Sequence, residues 1–100
     1  MNQDFEVDIT DEQVVSFQEN GFLSIDRVTT GTEIEWMRGL YDQLFDDRWG
    51  EEEGRYFDLG GQRAHIGKDL LPQILDPETR FPELRETTYF RNAVTITARL

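Results

Sequence analysis

"ITDEQVVSFQENGFLSIDRVTTGTEIEWMRGLYDQLF", residues 9–45, sets the order of elements on which the rest of the chain builds. Thr10 is placed to cap a first turn and Gln13, three residues on, to reach back to it, which is the reciprocal pattern of a capping box. Ile9 before the cap and Val14 after it have the spacing of a hydrophobic staple. Asp11 and Glu12 fall in the first turn, where free helix amides favour negative charge. Val14 and Phe17 supply a narrow apolar edge. Asn20-Gly21 ends the helix, because glycine takes the left-handed backbone of a helix terminus at little steric cost. "FLSIDRV" (22–28) is short and rich in aromatic and β-branched residues, and predicts a strand with Leu23 and Ile25 on one face. Thr30 and Glu33 repeat the capping-box spacing. From there Ile34, Met37, Leu40, Tyr41, Leu44 and Phe45 recur at three- and four-residue steps, the pattern of a long amphipathic helix. Its stripe needs a larger apolar partner than one short helix and one strand can offer.

Beyond residue 45 the pattern breaks. "DDRWGEEEG" (46–54) holds two glycines and five acids and reads as an exposed loop. Two short strands are expected next, Arg55–Leu59 and Leu70–Leu75, joined by a glycine-rich connection, with Pro72 marking an edge or a bulge. "DPETRFP" (76–82) is punctuation. A last helix is predicted from Pro82, with Leu84, Phe90, Ala93, Val94, Thr97 and Leu100 roughly on one side. Within it "AVTIT" (93–97) alternates and is β-branched, so a strand competes there. The chain stops at "TARL" in mid-pattern on an apolar residue, which reads as a truncated domain. The expected class is therefore α+β: a helix-strand-helix portion, a short hairpin and a final helix, making one incomplete domain over 1–100.

Composition bounds the function. One hundred residues hold a single small core. Twelve per cent aromatic residues argue against a disordered tail, and 31% charged residues argue for a water-facing surface. Residues 1–50 hold 12 acids and 3 bases, net −9, and residues 51–100 hold 9 acids and 7 bases, net −2, which together give the chain's −11. Such a chain has no basic patch with which to displace counterions, so nucleic acid is not expected as a partner. No apolar run approaches the roughly 20 residues of a membrane span. Met1 is followed by acidic and polar residues, not by a basic and then apolar leader, so the cytoplasm is the expected location and no membrane the expected partner. The absence of cysteine excludes disulfides, thiolate metal sites and cysteine nucleophiles.

Residue by residue, no catalytic constellation emerges. His65 is the single histidine and lies in the glycine-flanked "GGQRAHIGKD" (60–69), where it reads as a solvent-facing loop residue. A histidine with two carboxylates can hold iron or manganese, yet Asp58 and Asp69 stand at no recognisable spacing from it. Glu51, Glu52 and Glu53 read as a solvated acidic loop. Gly60-Gly61 lacks the remainder of a phosphate-cradling motif. Ser16 and Ser24 are the only serines and neither sits in a G-x-S-x-G elbow. Trp36, Met37, Tyr41 and Phe45 are expected to be core. With 21 carboxylates, proximity of two acids means little, so a small enzyme working by carboxylates alone is the weakest of the available readings.

The ordered set does resemble a known family. Residues 9–45, then "LPQILDP" (71–77), "FPELRET" (81–87) and "FRNAVTITARL" (90–100), look like the amino-terminal part of the phytanoyl-CoA dioxygenase family. The resemblance implies an iron(II)- and 2-oxoglutarate-dependent oxygenase that hydroxylates a small organic substrate on a double-stranded β-helix, or jelly-roll, barrel. In that family a His-x-Asp/Glu pair and a distant second histidine hold the metal, and an arginine later in the barrel receives the co-substrate's far carboxylate. None of these residues carries over: His65-Ile66-Gly67 is not His-x-Asp, and no second histidine exists. The resemblance therefore implies an entry structure that buttresses a carboxyl-terminal barrel, with iron and 2-oxoglutarate belonging to the complete protein and none expected on this chain alone. It also implies that polar side chains from the strands before the barrel line the pocket. Arg63 and Gln73 are the positions that fit, against ordinary readings as a surface arginine and a strand-edge glutamine. A free-standing acidic α+β protein-interaction module is the alternative.

Overall fold

A computed structural model describes residues 4–60 and 70–100. Among them are three α-helices and one antiparallel hairpin: α1 (Asp11–Asn20), α2 (Gly31–Asp46), β1 (Tyr56–Asp58), β2 (Pro72–Ile74) and α3 (Thr88–Arg99). Two 3-10 turns, Pro77–Thr79 and Pro82–Glu86, lead from the hairpin to α3. The class is α+β, as expected. The chain groups into two compact units, Met1–Trp36 with Pro82–Leu100, and Met37–Phe81.

In the first unit, α1 is capped as its sequence dictates. The Thr10 hydroxyl accepts the Gln13 amide at 3.1 Å and the Gln13 side chain accepts the Thr10 amide at 2.8 Å. At the far end Gly21 turns left-handed, φ 80°, and its N–H donates to the Phe17 carbonyl at 2.8 Å. The helix is held mainly at its ends, since none of its residues is buried. The strand expected at 22–28 is not formed. Its alternation survives, with Leu23 and Ile25 half-buried between exposed Phe22, Ser24 and Asp26, but a strand also needs a ladder partner and this segment pairs with none among the described residues. Its polar groups are satisfied differently: the Val28 carbonyl accepts a side-chain amide from α3.

The helix expected from Pro82 starts later and faces the other way. Pro82–Glu86 is a 3-10 turn, Thr87 caps α3, and 93–97 is helical. The Thr87 hydroxyl donates to the Leu84 carbonyl and accepts the Phe90 amide at 3.0 Å, which commits the chain to helix at this point. Thr88, Asn92 and Ile96 form the buried side, while Phe90, Val94, Thr97 and Leu100 are exposed. Of the six positions expected inside, Leu84 is buried and Ala93 half-buried. The physical reason is hydrogen bonding: the inward polar groups of α3 have strong partners in the amino-terminal residues, and those bonds set which side faces in.

In the second unit, α2 ends without glycine. Arg48 takes the left-handed conformation, φ 49°, its N–H donates to the Phe45 carbonyl, and the Trp49 N–H donates to the Leu44 carbonyl. Those two bonds make a Schellman cap with arginine at the position glycine usually holds. Gly50 then does need to be glycine, because its φ is 83° and a Cβ would lie 2.6 Å from Arg55 Cβ. The hairpin pairs Tyr56 with Ile74, Phe57 with Gln73 and Asp58 with Pro72. Backbone bonds from Leu75 to Arg55 and from Leu59 to Leu71 extend the pairing to the expected strand limits. Leu44, Tyr56 and Phe81 are buried, and Phe45 meets Tyr56 edge-on with ring centroids 6.2 Å apart. Of the aromatic and methionine positions expected in the core, Trp36, Met37 and Phe45 are half-buried, and Tyr41 is exposed.

Candidate functional site

The densest polar cluster is in the first unit, where Thr29, Glu33, Thr87, Thr88 and Asn92 are all buried. Glu33 leaves α2 in its first turn and is fully buried. Its amide donates to the Thr30 hydroxyl at 3.2 Å, so the capping spacing seen in sequence is used. Its carboxylate reaches α3: Oε1 accepts the Thr29 hydroxyl at 2.7 Å and the Tyr89 amide at 2.7 Å, and Oε2 accepts the Thr88 amide at 2.9 Å. Thr88 and Tyr89 open α3, so their free N–H groups and the positive end of the helix dipole converge on one carboxylate. Burial pushes the Glu33 carboxyl up, but bonds from Thr29, Tyr89 and Thr88 outweigh it and hold the group below its ordinary 4.5. A buried carboxylate that already accepts three fixed donors is a poor general base and a poor metal ligand. It fastens two helices.

Asn92 continues this seam. Its Nδ2 donates to the Phe5 carbonyl at 3.0 Å and the Val28 carbonyl at 2.8 Å, and Arg91 adds a bond to Phe5. At the end of α3 the Arg99 guanidinium donates to the Ile9 carbonyl and pairs with Asp11 at 2.8 Å and Asp8 at 3.3 Å. Asp8 is lowered first by the Ile9 amide and then by Arg99.

In the second unit Asp58 has a comparable task. Its Oδ1 accepts the Gly60 and Leu71 amides, each at 2.8 Å, and its Oδ2 accepts the Leu70 amide at 3.1 Å. The Leu71 amide is the main cause of a lowered carboxyl, with burial opposing and Leu70, Gly60 and the Arg48 charge assisting. Asp58 thus ties together the two ends of the connection between β1 and β2. Nearby, the Arg48 guanidinium lies 4.5 Å from the Tyr56 ring centre and bonds Glu51 through Nε at 2.6 Å. Arg55 lies 5.5 Å from the Trp49 ring, with Nη1 buried and without a hydrogen-bond partner. Arg48 and Trp49 border a hollow with Asp47, Glu51, Glu52 and Glu53, where four carboxylates outnumber one guanidinium, so the field there is acidic and disfavours an anionic ligand.

Gln73 stands exposed on β2 opposite Phe57. Arg63, His65 and Asp69 lie outside the described residues. Among the described residues no group of three His, Cys, Asp or Glu side chains could hold a metal ion. The polar residues that matter most, buried Glu33 and Asn92 and half-buried Asp58, carried no sequence signal for these roles. No described helix is long and apolar enough to cross a membrane. Comparison with protein-family models, with curated proteins and with solved structures finds no match in any of the three.

Proposed function

We propose that this chain is the amino-terminal, non-catalytic portion of an iron(II)- and 2-oxoglutarate-dependent dioxygenase acting on a small organic substrate in the cytoplasm, with neither nucleic acid nor membrane as partner. The reading rests on the resemblance of residues 9–45, 71–77, 81–87 and 90–100 to the phytanoyl-CoA dioxygenase family, and one structural observation supports it. Among the described residues six hydrophobic side chains are buried while twelve large ones are exposed, including Phe22 at 67%, Val94 at 53% and Phe90 at 43%. Exposed large apolar side chains in this number suit a surface that another body covers. In the proposal a carboxyl-terminal barrel covers them.

The donor set does not fit iron by itself. The family's metal needs two histidines and a carboxylate, and this chain has one histidine. The metal ligands and the 2-oxoglutarate arginine therefore belong to the remainder of the complete protein, and the residues present here supply scaffolding: Glu33 and Asn92 fix α3, and Asp58 fixes the hairpin. The second reading, a free-standing acidic module that binds another protein, draws on the same exposed side chains.

Two measurements separate them. Calorimetric titration of the chain with iron(II) plus 2-oxoglutarate is expected to show no binding, and micromolar binding of both would overturn the proposal. Sequencing the transcript past the codon for Leu100 is expected to find a continuing frame that encodes His-x-Asp or His-x-Glu, a second histidine and a later arginine. An immediate stop codon would leave the interaction module as the surviving reading.

A further inference from the structure

The geometry points to Asn20-Gly21 as a site of spontaneous, site-selective deamidation, gated by fraying of the last turn of α1. The Gly21 backbone nitrogen attacks Cγ of Asn20, the Cγ–Nδ2 bond breaks, and ammonia leaves with the proton given up by the Gly21 amide. The resulting five-membered succinimide is opened by water at either carbonyl, leaving an aspartyl or isoaspartyl residue at position 20. No oxidant or enzyme enters the balance, only solvent.

Three observations converge on this dipeptide. First, both residues are exposed, and a Cβ built on Gly21 would meet no atom within 4 Å beyond its chain neighbours, so the space beside the Gly21 Cα is open. Second, α1 has no fully buried residue and Gln18, Glu19 and Asn20 are exposed, so only the half-buried Phe17 packs within its final turn and little resists its opening. Third, two local bonds hold the native state: the Gly21 N–H donates to the Phe17 carbonyl at 2.8 Å, and Asn20 Nδ2 donates to the Ser16 hydroxyl at 3.2 Å. Attack requires both to break, which ties the reaction rate to fraying. Asn92 is the internal contrast. It is buried, its amide nitrogen is committed to Phe5 and Val28, and Ala93 follows it inside a helix.

Conversion changes α1 in one direction. A new carboxylate at the carboxyl end of a helix opposes the dipole, and an isoaspartyl linkage adds a methylene to the main chain where Gly21 makes its left-handed cap. The product should hold α1 less firmly, and hydrolysis makes the change irreversible.

The test is peptide mapping of the full chain aged at neutral pH, in buffer and in guanidinium chloride, following positions 20 and 92. Position 20 is expected to convert in buffer about tenfold more slowly than in denaturant, while position 92 converts in denaturant alone. The inference fails if position 20 in buffer is as inert as position 92, because reaction would then require global unfolding. Gly21→Ala separates attack from fraying: it strains the cap, which favours opening, but places a methyl beside the attacking nitrogen. Slower conversion is expected, and faster conversion would overturn direct attack by the residue-21 amide.

Discussion

Glu33 shows how one side chain can decide a local structure from far along the chain. Its carboxylate is buried, yet it replaces the water that would otherwise solvate the first amides of α3 and the Thr29 hydroxyl. Truncating such an acceptor strands buried donors, and the stranded donors cost more than the lost bonds contribute. Glu33→Gln keeps the shape but turns one acceptor oxygen into a donor facing a backbone amide. It is expected to destabilise the chain by about 2 kcal/mol in denaturant titrations near neutral pH. The sign of the pH dependence follows from the lowered carboxyl. In the folded state Glu33 loses its proton more readily than in the unfolded chain, so its contribution is complete above the unfolded value near 4.5 and disappears as pH falls through the lower folded value. The stability gap between wild type and Glu33→Gln should therefore be constant above that pH and shrink below it. A gap that does not change with pH would mean that the charged form is not what holds α3.

Asn92 makes the same argument for a whole element, because it decides which face of α3 turns inward. Asn92→Ala removes two donations to part-buried carbonyls, at a cost of about 2 kcal/mol. Asn92→Asp is closer in shape and is expected to be worse, about 3 kcal/mol, since it aims an unpaired buried carboxylate at those carbonyls. Equal costs, measured by denaturant midpoints, would show that packing and not donation orients the helix. α3 also marks how much was legible in the sequence. The caps of α1 were readable because both halves of each cap lie within four residues. The hairpin was readable to within one or two residues at each end because its strands follow one another. The inward face of α3 was not: Glu33 lies 56 residues from Tyr89, and Asn92 lies 87 from Phe5. Apolar periodicity records which side chains avoid water, and here it pointed at the exposed face. The 22–28 strand failed for a related reason, since alternation describes a half-buried extended segment whether or not a ladder partner exists. The cap of α2 was hidden by its use of Arg48 where glycine is customary. For function, the sequence offered Arg63, which lies outside the described residues, and Gln73, which stands exposed, and nothing in it marked Glu33, Asn92 or Asp58 for the roles they hold.

At the scale of the molecule, the exposed side of α3 is where the proposed function meets a stability measurement. Phe90, Val94 and Thr97 lie opposite the buried Thr88, Asn92 and Ile96, so a charge introduced at Val94 enters water in the chain as it stands. Val94→Glu is expected to change the stability of the 100-residue chain by no more than about 0.5 kcal/mol, as for other surface substitutions, and to lower its binding of a hydrophobic dye. In a complete dioxygenase whose barrel covers this side, the same substitution would bury an unpaired carboxylate and cost about 3–5 kcal/mol. The two proteins should therefore respond to one change to very different degrees. A large loss in the short chain would mean that α3 already packs through Val94, contrary to the exposure seen here. No loss in either protein would make the face ordinary surface, and the covering barrel would lose the observation that supports it.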